Sequence, residues 1–427
     1  MREHPTRSSR VLNSLIIVLW TVLFAGGVSA QVDRLAHLDV QGDPGSSLLL
    51  AEGWAPPSFV REPGKQGKIT KSPFWCSRCA DHGEYAKGAR HPAPPEKLLN
   101  RPRSDMVATV QGKAKKPPIV LAMPRLILVC DLSPLSARML KKYEIPWIRE
   151  HFPKKKTKLD QHAVAHLYAM RCLHLFAQWT DLMCLDPDRK EYRPADHGQT
   201  WGNPSMNRGE VWLFPAAEPY HQFCRQFFKG FGKWSSWWYV KPSNQVATLI
   251  HAGKLKDDIL HARLDHMLAH QHLFEYRGHY YHLPVWIPEG IGHYFERRHE
   301  QKFDTFCLLG QPRQKDRSDW EWKARKWKRE VRSLVSKNEE LPVTKLALSS
   351  TSNQDLIPRY HVQAWSMINY MIGMGRGRFR TFIDGLKTKA EDDHVLEAHN
   401  NAFRRTFGVS AGQFQARWRG WVLKKQK

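Results

Sequence analysis

Two histidines four residues apart, His266 and His270, stand in the stretch LDHMLAHQ (264–271). On a helix, residues at that spacing lie one above the other, so both imidazoles can aim a nitrogen at one ion. Zinc takes about four ligands in a tetrahedron, and a catalytic site draws three of them from protein and leaves one for water. The pair alone is a weak signal. Eight histidines fall between residues 261 and 299, and spacings of four arise easily among them. A third ligand strengthens it: LPVWIPEGIGHYFE (283–296) puts Glu289 in the first turn of a following helix, from which its carboxylate can turn back onto the ion. The expectation is that His266, His270 and Glu289 surround one point, with donor atoms about 2.0–2.2 Å from a bound zinc.

The residue after His266 is Met267, where the motif H-E-x-x-H has a glutamate. The span LDHMLAHQHLF…LPVWIPEGIGHYFE resembles the peptidase MA-like gluzincins. These are secreted bacterial proteins of zincin fold whose helix reads H-E-x-x-H-Q and whose next helix reads P-x-W-x-x-E-G-x-x-x-Y. His266, His270, Gln271, Pro284, Trp286, Glu289, Gly290 and Tyr294 occupy the matching places. YHVQAWSMINYM (360–371) and AFRRTFGVSAGQFQARWRGWV (402–422) look like that family's downstream helices, so the resemblance covers about residues 120–427.

The resemblance implies a zincin-like α+β fold, zinc on His266, His270 and Glu289, and a vacant general-base position at Met267. Methionine neither accepts a proton nor delivers one to a leaving amine, and losing a general base costs about a hundred- to ten-thousand-fold. The expected function is therefore that of a degenerate metallopeptidase, a pseudo-enzyme that binds zinc and a peptide or envelope ligand. Two alternatives compete with it: an active zinc metallopeptidase with a non-standard base, and a polyanion-binding envelope protein on a zincin scaffold.

Asp265, Glu275 and Glu296 are the carboxylates near enough in sequence to replace the base, each set against the plainer reading of a solvated or supporting group. His293, one turn after Glu289, reads as a surplus ligand, a supporting partner or an ordinary histidine. Tyr360 is an oxyanion-stabilising candidate, weighed against a core tyrosine. GMGRGR (373–378) misses the phosphate-loop glycine spacing and reads as a helix-terminating turn.

These residues need a scaffold, and 427 residues with 41% hydrophobic and 11% aromatic content are enough to build a sizeable core. Residues 1–30 are set aside. A basic start with Arg2, Arg7 and Arg10, the apolar run LIIVLWTVLFAGGV (15–28) and the small residues VSA (28–30) read as a signal peptide cleaved near Ala30. The product is then secreted or held in the periplasm or cell envelope. The competing reading, an uncleaved anchor, needs a longer apolar run than these residues supply. Residues 1–30 carry a net +2, so the formal charge falls from +25 to +23. Clusters such as KKKTK (154–158) and WKARKWKRE (322–330) suit an anionic surface, with no specific nucleic-acid motif beside them.

Seven cysteines leave at least one unpaired within the chain. Cys76 and Cys79 form the one C-x-x-C, expected to be a local disulfide or a plain loop, because no second C-x-x-C completes a four-thiolate site. Residues 31–120 read as a loosely structured Pro/Gly/Lys-rich lead-in. The zincin-like domain spans 121–427, with an α/β part (121–253) and a helical part (254–427) that holds the metal site. Strands are predicted at RLILVCDLS (125–133), GEVWLFPA (209–216) and QVATLIHAG (245–253). Helices are predicted at 134–152, 159–184, 218–228 and 256–274, then from Pro288, and at 320–336, 360–373, 376–387, 396–407 and 410–424. The early strands and late helices make the class α+β.

Overall fold

The computed structural model of the chain describes residues 117–123, 126–141, 144–151, 157–185, 209–228, 235–240, 245–277, 281–299, 326–349, 358–386 and 395–425, with short pieces at 75–78, 97–98, 101–102, 305 and 388–389. The predicted signal peptide and Cys79 lie outside the described residues.

Apolar, β-branched runs form a six-stranded mixed sheet in the order β1-β4-β5-β8-β10-β9. Its strands are β1 (Trp75–Cys76), β4 (Ile119–Ala122), β5 (Leu126–Cys130), β8 (Gly209–Phe214), β9 (Ser235–Val240) and β10 (Gln245–His251). The centre is parallel, with Leu128 opposite Val211 and Val211 opposite Thr248. Both edges are antiparallel, through β1–β4–β5 on one side and β9–β10 on the other. Three two-stranded pieces stand apart: β2 (Lys97–Leu98) with β3 (Arg101–Pro102), β6 (Leu135–Ser136) with β7 (Lys158–Leu159), and β11 (Tyr281–His282) with β12 (Thr388–Lys389).

Successive side chains on a strand face opposite ways, and here both faces are covered. Val120, Ile127, Val129, Trp212 and Leu249 pack with Tyr220 and Phe223 of α3 (Ala217–Phe227). Leu121, Leu128, Val211 and Ile250 join the larger core with α2 (Gln161–Leu182) and α4 (Asp257–Arg277). The helical part continues with α5 (Trp286–His299), α6 (Trp327–Ser336), α7 (Val343–Ala347), α8 (Pro358–Gly373), α9 (Arg376–Gly385), α10 (Val395–Phe407) and α11 (Ala411–Lys425). The class is α+β, predominantly helical after the sheet.

One expectation is corrected. Residues 134–141 form no α-helix: the chain pairs at Leu135–Ser136 and makes one short 3-10 turn over Ala137–Met139, and the described α1 spans Glu144–His151. The Asp131 carboxylate accepts from Gln161 Nε2 at 2.9 Å, and Asp160 caps α2 by accepting from the Ala163 amide. Strand β4 runs through residue 120, and Cys76 belongs to the edge strand β1 that pairs with it. Helix α4 is buried on every side along its middle. From Leu260 to Leu273 every residue is buried, polar ones included. Such a helix needs a partner for each polar group.

Arg171 of α2 meets that need at the start of α4. Its guanidinium donates to Asp257 at 2.7 and 2.9 Å and, from Nε, to Glu144 at 2.7 Å. Tyr168 adds its hydroxyl to Asp257 at 2.8 Å. Further along α4, Gln271 Oε1 accepts from Thr248 of β10 at 2.7 Å, and Gln271 Nε2 donates to Glu275 at 2.9 Å. The helix is thus fixed in rotation and height against the sheet, which determines where His266 and His270 point.

Candidate metal centre

Helix α4 packs along α5, and α5 packs against α8. Glycines permit the close approach. A Cβ on Gly290 would stand 2.6 Å from Ile368 Cγ1 and 2.8 Å from the Ala364 carbonyl oxygen. A Cβ on Gly292 would stand 2.8 Å from the Nε2 atoms of both His266 and His270. The space that a side chain at 292 would fill is the space into which the two imidazoles point.

The structure brings together the three residues expected as ligands. His266 Nε2 and His270 Nε2 lie 3.1 Å apart. Glu289 supplies Oε2 at 3.5 Å from His266 Nε2 and Oε1 at 3.8 Å from His270 Nε2. In a tetrahedron with bonds of about 2.0–2.1 Å, adjacent donors are about 3.3 Å apart, so one ion fits this spacing with small adjustments. All three residues are at most 2% exposed, so the donors are positioned by packing and not by solvent.

Burial pushes the His270 imidazole down to about 3, which keeps it neutral with a lone pair to offer. Burial also works to raise the Glu289 carboxyl, but hydrogen bonds from His266 and His361 and the nearby His270 outweigh it and hold the group well below the usual carboxylate range. The donor set is then two imidazoles and a carboxylate, buried and convergent, and it can hold a metal ion.

Two further residues complete the arrangement. Glu296, two turns beyond Glu289, accepts from His266 Nδ1 at 3.1 Å, from His293 Nδ1 at 2.8 Å and from the Thr305 amide at 2.7 Å. Burial favours its neutral form, yet the two imidazoles pull it down to about 2. A carboxylate on the outer nitrogen of a ligand histidine fixes the tautomer and turns the other nitrogen to the metal. His361 of α8 places Nδ1 3.2 Å from Glu289 Oε2 and 3.1 Å from His293 Nε2. His293 thus bridges Glu296 and His361, and its imidazole is pushed down to about 4 by burial.

Glu296→Gln removes the negative acceptor from His266 and His293 while keeping the shape. Metal affinity is expected to fall about 10–100-fold, read by competition with a chromophoric chelator. Unchanged affinity would show that Glu296 does not set the imidazoles.

The remaining candidates fall elsewhere. Met267 is fully buried in the main core, on the helix between the two ligands. Asp265 lies 3.6 Å from His261, and burial raises its carboxyl well above the ordinary value. Glu275 is engaged with Gln271 and His272. The Tyr360 hydroxyl accepts from Arg359 at 3.1 Å, and it is the next residue, His361, that reaches Glu289. Sequence reasoning missed His361. In sequence it is marked only by standing beside Tyr360, the oxyanion candidate.

No family model matches the chain, and no curated protein matches it in sequence.

Proposed function

We propose that this chain is an exported protein of zincin fold, similar to the peptidase MA-like gluzincins, which keeps a zinc centre and has lost peptidase catalysis. The observation that carries the reading is the convergence of His266, His270 and Glu289 around Gly292, with a buried methionine at 267. Two histidines and a glutamate are a catalytic zinc ligand set. When bound there, zinc supplies Lewis acidity and lowers the pKa of a water that it holds.

This chain's own residues supply the rest. Glu296 orients His266, His361 steadies Glu289, and the two carboxylates offer the counter-charge a divalent cation needs. What the peptidase chemistry would need besides is a carboxylate on the inner side of the ligands. Glu296 meets His266 through Nδ1, on the side of the ring away from Nε2 and the centre. Asp265 and Glu275 are committed to other partners. Among the described residues no carboxylate takes the place of the missing glutamate, which argues against a non-standard base. The role left is binding of a peptide or envelope polymer.

A second reading, retention on anionic polymers, rests on the +23 charge left once residues 1–30 are removed and predicts salt-dependent binding to an anionic matrix. Among the described residues no helix is long and apolar enough to cross a membrane.

The proposal is tested by incubating the purified, zinc-loaded chain with a fluorogenic peptide mixture, with and without chelator. The expected result is no chelator-sensitive turnover. Substantial chelator-sensitive hydrolysis would mean that a base is present and has been misidentified.

A further inference from the structure

A second group of side chains that could ligate a metal lies outside this centre, where edge strand β1 and helix α2 meet. Cys76 sits in the edge strand β1, paired with Leu121 of β4. His162 and His166 stand four apart at the start of α2, the helix that packs on β4. Cys76 Sγ is 3.3 Å from His162 Nε2, and His162 Nε2 is 3.1 Å from His166 Nε2. Cys76 is fully buried, His166 is 4% exposed and His162 is half-buried, so solvent reaches the group from one side only.

The atoms that meet are the unusual feature. An imidazole Nε2 has one in-plane direction, carrying either one hydrogen or one lone pair. His162 Nε2 has a sulfur and a second Nε2 within 3.3 Å, and a single hydrogen serves one of them. A cation between the three serves all of them. With bonds of about 2.3 Å to sulfur and about 2.0–2.1 Å to nitrogen, tetrahedral donors stand about 3.6 Å (S···N) and about 3.3 Å (N···N) apart. The observed spacings are close to both.

We infer that Cys76, His162 and His166 form a second metal site, a zinc staple that fastens edge strand β1 to helix α2. A thiolate with two imidazoles is a donor set that selects zinc over hard, oxygen-seeking cations. The two histidines have ligand spacing, H-x-x-x-H at 162–166 on one helix. On binding, the Cys76 thiol releases its proton to solvent and a sulfur–zinc bond forms. The site has a structural purpose: β1 contributes only two residues to the sheet, too few to hold an edge strand by backbone pairing alone. The inference is independent of the His266–Glu289 centre, whose donors are nitrogen and oxygen only.

That difference makes the test specific. The full-length chain is stripped of metal under reducing conditions and loaded with cobalt(II), and its near-ultraviolet absorption is recorded. The expected result is a thiolate-to-cobalt charge-transfer band, lost or strongly reduced in Cys76→Ser and in His166→Ala but kept in Glu289→Gln. Absence of the band in the loaded wild-type chain overturns the inference without recourse to any variant. A band that survives both Cys76→Ser and His166→Ala overturns it too, since the sulfur would then belong to another site. If Cys76→Ser fails to fold, His166→Ala, which keeps every thiol, decides.

Discussion

Met267→Glu is expected to raise chelator-sensitive peptide hydrolysis at least about a hundredfold over the wild-type chain, the low end for a positioned acid–base group. The substitution restores a carboxylate one residue after His266, beside a centre whose other parts are already arranged. His270 is kept neutral, Glu289 ionised, and the ring of His266 is set by Glu296. The cost falls on stability. Position 267 is fully buried, so burial raises the new carboxyl and its ionised form is disfavoured unless it faces the centre. Activity must therefore be read beside thermal unfolding and zinc content. A folded, zinc-loaded variant with no gain would mean that the surroundings of the centre have also lost the geometry for turnover, leaving a binding scaffold.

Arg171→Leu is expected to destabilise the fold by about 3–5 kcal/mol, the range for breaking a buried ion pair from one side. Arg171 is 1% exposed and joins Glu144 of α1 and Asp257 of α4, so its loss leaves two carboxylates in the dry core. The pH dependence gives a second readout. In the wild type, burial works to raise the Asp257 carboxyl, but the charge and hydrogen bonds of Arg171, with Tyr168, hold it below its ordinary value. A folded pKa below the unfolded one stabilises above the unfolded pKa, and that contribution is lost as the pH falls through the folded one. In the variant the pull of Arg171 is gone and burial is opposed only by the Tyr168 hydroxyl and Lys141, so the carboxyl rises, the folded state takes up a proton more readily, and the penalty shrinks on acidification. Chemical denaturation at neutral and mildly acidic pH measures both. A penalty under about 1 kcal/mol, or one independent of pH, would show that Arg171 does not carry these carboxylates.

What the sequence made legible follows from how local each signal was. The His266–His270 spacing and the glutamate on the next helix are short-range patterns, and the structure brings those three side chains together. The central strands at 126–130, 209–214 and 245–251 were readable as apolar runs because both their faces are buried. Strand β9 was not, because SSWWYV becomes a strand by pairing with β10. Nor was the role of Glu296, which depends on α5 lying against α4 so that one carboxylate meets His266 thirty residues away. His361 comes from α8, and nothing local marks it as facing Glu289. Cys76 and His162 lie 86 residues apart, and a C-x-x-C spacing carries no signal of an imidazole neighbour. The helix expected from residue 134 gives way to a strand at Leu135–Ser136 because its pairing partner, Lys158–Leu159, lies more than about twenty residues on, where no local signal marks it.

The central claim is that the metal centre has been kept although its base has gone. Zinc content per chain, measured by plasma mass spectrometry on the purified wild-type protein and on a His266→Ala, His270→Ala double variant that remains folded, tests it most directly. The account predicts that the double variant holds one zinc fewer per chain than the wild type. Equal zinc in the two proteins, or a wild type that takes up no zinc, would contradict it.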